Sequence, residues 1–581
     1  MSRSTDARGS ADHVPRGGAA DRAGGAADRA GLSSGHGPLP VGFTVRLDRR
    51  TRRLTGEDGR VALLGGSPMR LLRLAPVAGR LLDGPGEGPD GRPSSSADSP
   101  DTERHATEGT ATGGSAHGRS LAVRDVTSAA LAGRLLDTGV AHPAPDAPGA
   151  PAGPPPGAVT VVVPVRDRPG ELGRLLAAVA ETAPGVAEVI VVDDGSAEPL
   201  RCAETATVAG ARLLRHERSR GPAAARNTGL AEARTELVAF LDSDVVPRAG
   251  WLGTLLGHLA DPAVALAAPR IVGLPAGEHP AGEHPAGEHP PGWLDRYEGL
   301  RSSLDLGRDP APVVPRSRVA YVPSAALLVR RAAVGAGFDP ELRVAEDVDL
   351  GLRLHARGWR MRYEPAALVA HEHRVRPVGW WTRKAFYGTG AAPLAGRHPG
   401  SVPPAVLSPW TGAACLLLLA QRRAGLAGTA VVTVAAWVRT RRTLRGVHRP
   451  GRAAARLVGL GLLGALDQAA GLLTRHWWPL TVLGAVRSRR VRRAALAASV
   501  VEGLADWYDH RPRDGEPALD PVRYLLAHRA DDLGYGAGLW WGVLRARDLG
   551  ALLPTLTGLP RRRGRPATAD ARPAERSGPN E

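Results

Sequence analysis

Lysine is almost absent from this 581-residue chain: Lys384 is the only one, so the other 74 of the 75 basic residues are arginine. A net charge of +17 ordinarily points to nucleic acid or an anionic surface. Beside 73 glycines and 51 prolines, however, the arginine skew matches a GC-rich genome. Arginine therefore signals phosphate recognition only where its position supports it, and no nucleic-acid partner is expected. Cysteine is equally scarce. Cys202 and Cys415 are too isolated for a disulfide framework or a thiolate zinc site, and they fit a reducing cytosolic setting. The N-terminal run has positive charge but no apolar core, so a secretory signal is not expected. Long apolar runs are missing too: the blocks after residue 400 are near or below the roughly 18 to 20 residues that span a bilayer.

Composition divides what is present. Residues 1–37, 84–118 and 561–581 lack periodicity and are expected to be disordered. Residues 38–141 read as one small α+β domain interrupted by the 84–118 insertion. Phe43, Val45 and Leu47 alternate as a hairpin strand with a turn near Gly56 to Gly59. Leu71, Leu72 and Leu74, then Leu131, Leu135 and Leu136, read as apolar helix faces. A Pro-rich linker covers 142–157. From Ala158 strands alternate with helices, which predicts parallel pairing and an α/β domain over 158–396. The triplicate AGEHP at 276–290 reads as repeat expansion in a surface loop, in preference to a histidine metal site.

Residues 397–490 hold four apolar blocks, nearly all followed by arginines, and 491–560 read as a helical C-terminal region. If consecutive blocks crossed a membrane, alternate loops would carry arginine outside, against the positive-inside tendency. The favoured reading is helices lying in or dipping into the cytoplasmic leaflet, with a spanning hairpin and a soluble helical domain as alternatives. The expected location is the cytoplasmic face of the cell membrane, or the cytoplasm.

Chemistry gathers at the ends of the predicted strands. VVVPV at 161–165 leads to Asp167, and VIVV leads to Asp193 and Asp194 of Asp-Asp-Gly-Ser. A small-residue loop from Gly221 enters a helix at Arg226 and Asn227, and LVAFL leads to Asp242-Ser243-Asp244. Singly, each has an ordinary explanation as turn, cap or chance. In this order, at strand ends, they sit where doubly wound sheets bind ligands. Their carboxylates can accept hydrogen bonds from ribose hydroxyls or a uracil N–H, and an Asp-x-Asp pair can carry a divalent metal. Gly459 to Gly464 matches a dinucleotide fingerprint by letters only, inside an apolar helical block without a preceding strand.

Over about 158–375 these motifs together resemble the family 2 glycosyltransferases of GT-A fold. Tyr321-Val322-Pro323-Ser324-Ala325-Ala326 resembles the acceptor-side segment. Gly337-Phe338-Asp339-Pro340 with Glu346-Asp347-Val348-Asp349 resembles the segment that supplies the catalytic base. The resemblance implies a nucleotide sugar bound by Asp167, Asp193, Asp194, Arg226 and Asp242, and a divalent metal (Mn2+ or Mg2+) on Asp244 and Asp242. It further implies an inverting displacement with Asp347 as base. His371 or Arg374 falls near the diphosphate, and Glu346 is a further diphosphate or acceptor candidate. On a bland reading, Glu346 and Asp349 merely cap a helix or pair with Arg343 and Arg353. Val348, Leu350, Leu352 and Leu354 alternate as in a strand where the family has a helix. Trp380 and Trp381 are candidates for acceptor stacking or a membrane interface. The Gln-x-x-Arg-Trp of processive synthases is missing, which argues against long-chain polymerisation.

GFTVRLD, LLGGSPMRLLRL, LLDTGVAHP and the C-terminal DDLGYGAGLWWGVLRARD resemble the mycofactocin-system glycosyltransferases. That implies transfer of glucose from UDP-glucose or a related nucleotide sugar to a peptide-derived redox cofactor or its precursor, as β-linked oligomers. Residues 38–141 also resemble the peptide-recognition domains of ribosomal-peptide modifying systems. This implies precursor binding by strand addition, against a plain packing role. Two other classes remain: a membrane-associated transferase for lipid-linked or cell-envelope glycans, and a noncatalytic binding protein, against which Asp194, Asp242, Asp244 and Asp347 argue. The expected architecture is α/β, a GT-A nucleotide-diphospho-sugar transferase domain with a small N-terminal α+β domain and a helical, partly apolar C-terminal region.

Overall fold

The computed structural model describes residues 37–56, 60–83, 119–275, 292–373, 376–512 and 519–557. The expectations placed on residues 1–36, 84–118, 276–290 and 561–581, and on Arg374, lie outside the described residues.

A nine-stranded mixed sheet forms the centre. Its strands run Val245–Pro247, Arg360–His371, Val264–Gly273, Ala326–Arg330, Leu237–Leu241, Val159–Val165, Glu188–Asp194, Arg212–His216, with Ala311–Pro312 added on Arg360–His371. Val159–Val165 and its neighbours Leu237–Leu241 and Glu188–Asp194 are parallel, as is Arg212–His216 on Glu188–Asp194. Both faces of these strands are buried, so VTVVVPV and LVAFL read as continuous apolar runs. On one face Val159, Val161 and Val163 pack with Leu172, Leu175 and Trp251. On the other, Val162, Ile190 and Val192 pack with Phe240 and Phe338. The chain winds outward from Val159–Val165 through Arg212–His216, then returns to place Leu237–Leu241 on the opposite side of its first strand. That reversal opens a crevice at the carboxyl ends of two adjacent strands.

The N-terminal residues form two three-stranded antiparallel sheets. Thr44–Leu47 is the middle strand between Ser120–Ala122 and Ala141–Pro143, so it does not pair in the expected hairpin. The hairpin is instead Arg52–Thr55 with Val61–Gly65, and Arg70–Arg73 extends it. Leu71 and Leu72 therefore lie in a strand, contrary to the helical expectation: the run between Gly66 and Pro76 is too short for a useful helix. Leu135 and Leu136 are on the helix Val126–Asp137, whose start is fixed by reciprocal bonds between Asp125 and Ser128. This unit docks on the sheet through Arg360, which reaches Asp137 at 2.7 Å and Asp261 at 3.0 Å.

Beyond the sheet, Pro377–Thr389 packs along the helix Pro521–Ala546 at backbone contact. A Cβ on Gly538 would fall 1.7 Å from Ala385 O, and one on Gly388 would fall 2.1 Å from Tyr535 O. Gly536 similarly admits Arg475 O at 2.2 Å. The Gly-x-Gly-x-Gly run is thus a packing surface. Trp380 is buried and donates to Glu298 Oε1 at 2.7 Å, which corrects its expected stacking or interfacial role. The single lysine is buried beside it, with Lys384 Nζ 2.9 Å from Glu298 and 3.0 Å from Asp531. Among the described residues one helical stretch, Pro450–His476, is long and apolar enough to cross a membrane, by length and composition. It also contains Gly459 to Gly464, which excludes a strand-to-helix dinucleotide loop there.

Candidate active site

Four predicted segments converge on the crevice. Asp167 follows the first strand in a left-handed conformation (φ 56°). Its Oδ1 accepts from Ala197 N at 2.7 Å, while its N–H donates to Ser196 Oγ at 2.9 Å. It thereby ties two strand-end loops together, and its Oδ2 lies at the half-exposed rim, 3.3 Å from Arg166 Nε.

Asp193 and Asp194 have a different job from the one expected. Asp193 is fully buried, with Oδ1 accepting from Ser196 N at 2.9 Å and Oδ2 paired with Arg215. Asp194 Oδ1 bonds His216 Nδ1 at 2.7 Å and accepts from Arg220 N at 2.8 Å. Its Oδ2 accepts from Ser219 Oγ at 2.7 Å and Gly221 N at 2.8 Å. A carboxylate has about four lone-pair sites, so Asp194 has none left for a nucleotide. Burial raises its pKa, but these donors outweigh burial and hold it below the usual range. Asp193 thus closes its own strand-end turn and anchors Arg215, while Asp194 shapes the 217–221 loop that carries the chain to Arg226.

Arg226 is buried beneath the crevice and faces carboxylates. Its Nη2 lies 2.5 Å from Asp242 Oδ1, its Nη1 lies 2.9 Å from Glu346 Oε1, and its Cζ stands 5.3 Å over the Phe338 ring. Its small-residue loop lets the helix Pro222–Glu232 pack closely enough to insert this cation. Glu346 therefore pairs with Arg226 and not Arg343, and Asp349 takes Arg353 and His398, both at 2.7 Å.

Asp242 and Asp244 project from the end of Leu237–Leu241. Burial, only partly offset by Arg226, raises the Asp242 pKa. Burial also acts on Asp244, but His371 and Arg168 outweigh it and lower the pKa. Asp244 Oδ2 pairs with Arg168, and its Oδ1 is 3.5 Å from His371 Nε2. His371 Nδ1 is buried without a hydrogen-bond partner. Two carboxylates that draw in two guanidinium groups, with an imidazole alongside, form a donor set dominated by oxygen. That fits a divalent ion such as Mn2+ or Mg2+.

Asp347 sits in the first turn of the helix Glu346–Ala356, where the sequence alternation suggested a strand. Ala345 enters it in a left-handed conformation (φ 66°). Three acids in the first turn complement the helix N-terminus, and Leu350 and Leu354 pack beneath the sheet. Ser324 N donates to Asp347 Oδ2 at 3.0 Å and Val348 N to Oδ1 at 2.8 Å. Burial and neighbouring Glu346 nonetheless raise its pKa to about 7. This is a half-buried carboxylate poised to exchange a proton near neutrality.

Sequence reasoning missed Arg168 and His216, and it named Ser324 only within the acceptor-side segment, without its bond to Asp347. Arg168 was hidden by the arginine-rich composition, although it follows Asp167 directly. His216 and Ser324 act only through contacts distant in sequence.

Glycosyl transferase family 2 matches residues 160–304. The pre-mycofactocin glycosyltransferase of Mycobacterium tuberculosis is 46% identical over 527 residues, spanning 89% of this chain and 98% of that protein. The chain belongs to the pre-mycofactocin glycosyltransferase family. As in family 2 generally, its sheet is of the GT-A type. The succinoglycan biosynthesis protein ExoU of Rhizobium meliloti is 30% identical over 221 residues, covering 35% of this chain and 58% of that protein. A mannosyltransferase of Pyrobaculum calidifontis, solved with GDP-Man and Mn2+, is 22% identical with a TM-score of 0.32. It covers 54% of this chain and 88% of that one, a likeness too loose to carry residue roles. A member of this family is an enzyme, a glycosyltransferase, which removes the noncatalytic reading.

Proposed function

We propose that this glycosyltransferase moves glucose from UDP-glucose, or a related nucleotide sugar, to pre-mycofactocin with inversion at the anomeric carbon. The observation that carries the mechanism is Asp347, a carboxylate with a pKa of about 7 held by Ser324 N next to Glu346, whose partner Arg226 also pairs with Asp242. The acceptor hydroxyl delivers its proton to Asp347 as its oxygen attacks the anomeric carbon. The bond to the diphosphate oxygen breaks on the opposite face, so an α-linked donor gives a β-glycoside. Asp244, Asp242 and His371 would hold a divalent metal, which supplies positive charge to the departing diphosphate. Asp167 remains the best donor contact among the expected set, since its Oδ2 stands at the half-exposed rim with, among the described residues, only the exposed Arg166 as partner. Arg226 holds Asp242 and Glu346 in place from below.

The test is UDP release from UDP-glucose with pre-mycofactocin as acceptor, for wild type and Asp347→Asn. Acceptor-dependent release that falls by about 10²- to 10⁴-fold in the variant supports the reading. Release with a polyprenyl-linked glycan but not with pre-mycofactocin moves the enzyme to envelope-glycan synthesis. The exposed leucines and valines of 409–501 favour that second reading.

A further inference from the structure

Tyrosine is rare here, 7 in 581 residues, yet three of them gather beside Asp347. Tyr321 belongs to the segment whose Ser324 N–H holds Asp347, and it is 39% exposed. Tyr387 is in the last turn of the helix Pro377–Thr389. The chain just after it rests on the entrance to the catalytic helix: a Cβ on Gly390 would meet Val344 at 3.0 Å and Ala345 at 3.1 Å. Tyr535 comes from Pro521–Ala546, pressed against the same place by the Gly388 contact. The Arg475 guanidinium lies 4.0 Å from the Tyr535 ring centroid and 3.3 Å from Asp532. Asp347, Tyr535, Arg475 and Tyr387 are all close enough to act electrostatically on the Tyr321 hydroxyl.

We propose that Tyr321, Tyr387 and Tyr535, with Arg475, form a composite acceptor subsite in front of Asp347 that takes the flat face of the ring bearing the attacking hydroxyl. The catalytic domain supplies one wall and the C-terminal helices the other. The inference rests on the glycosyltransferase reading and deepens it, by assigning acceptor selection to helices outside the region that matches family 2. Tyrosine rings offer an apolar face together with a polar edge. Arg475 covers one face of Tyr535 and presents a cation, paired to Asp532, at the same opening. A sugar ring and an aromatic ring share the flat face that this arrangement recognises.

Steady-state kinetics with UDP-glucose test the subsite, using pre-mycofactocin and its monoglucosylated product as acceptor probes. The proteins compared are wild type, Tyr535→Ala, Tyr535→Phe and Arg475→Met. Tyr535→Ala should raise the acceptor KM about tenfold, more than it lowers kcat or raises the donor KM, and Tyr535→Phe should restore most of the loss. A rise confined to pre-mycofactocin supports contact with the aglycone, and a rise confined to the glucosylated probe supports stacking of the sugar. An unchanged acceptor KM for both probes in Tyr535→Ala and Arg475→Met, with native circular dichroism, overturns the subsite alone. No UDP release by wild type with either probe overturns the proposed pairing of UDP-glucose with pre-mycofactocin instead.

Discussion

At the scale of single residues, the site separates carboxylates that hold the protein together from those that face chemistry. Asp194 shows the first kind. Replacing it by Ala leaves the N–H groups of Arg220 and Gly221, Ser219 and His216 without their acceptor. A cost of about 3 kcal/mol is expected, read as a lowered midpoint in urea unfolding. Because its folded pKa is depressed, that stabilisation is present above the usual carboxylate range and is lost as pH falls through the folded value. Asp347 is the opposite case. A base with a pKa near 7 must lose its proton to work, so kcat/KM should rise with pH through about 7 and level off above it. A profile flat from pH 5 to 9 would remove Asp347 from that role. Its raised pKa also means that ionising it costs stability: the penalty grows as pH climbs from the unfolded value through about 7. Asp347→Asn should therefore gain thermal stability relative to wild type at pH 8 compared with pH 5.

Among elements, the tightest constraint lies between Pro377–Thr389 and Pro521–Ala546. Gly538→Ala gains up to about 1 kcal/mol of helix propensity. Its new methyl would lie 1.7 Å from Ala385 O, and overpacking of that kind costs about 3 kcal/mol. The steric term wins. A lower melting temperature is expected, together with weakened acceptor turnover, because the same helix pair carries Tyr387 and Tyr535. A stabilised Gly538→Ala would show that the helices can separate freely. The N-terminal strands teach a related lesson. Phe43, Val45 and Leu47 alternate correctly, but alternation gives the buried face and not the partner. The pairing of Thr44–Leu47 with strands near residues 121 and 142 was decided by contacts far along the chain.

For the whole molecule, charge and apolar surface coincide in the C-terminal half. Between residues 397 and 501 the one acidic residue is Asp467, while arginines recur throughout. Leu416, Leu426, Leu463, Val482 and Val486 are exposed on the same helices. The protein should therefore co-sediment with vesicles containing anionic lipid more than with neutral ones, and the difference should shrink as salt rises. Equal sedimentation with both vesicle types would argue against surface attraction by these arginines. The N-terminal unit is docked on the sheet by Arg360. The edge of its hairpin is partly taken, since Thr55 O accepts from His448 N at 3.1 Å. The opposite edge is engaged as well, since Arg73 Nη2 donates to Thr443 O at 2.8 Å.

The sequence by itself determined the central sheet and the strand ends at which its acids stand. Buried parallel strands must be continuously apolar, and acids placed just after them must fall at the strand ends, so Asp167, Asp242 and Asp244 were legible as a set. The motif letters also marked Asp347, though not its helix, because Val348 to Leu354 alternate by accident of burial on two faces. Only the tertiary structure decided that Asp193 and Asp194 are consumed internally and that Arg226 answers carboxylates. It likewise brought Arg168, Tyr535 and Arg475 to the crevice. Those facts depend on which lone pairs are already occupied and on how closely helices approach, and neither is encoded in any local run of residues.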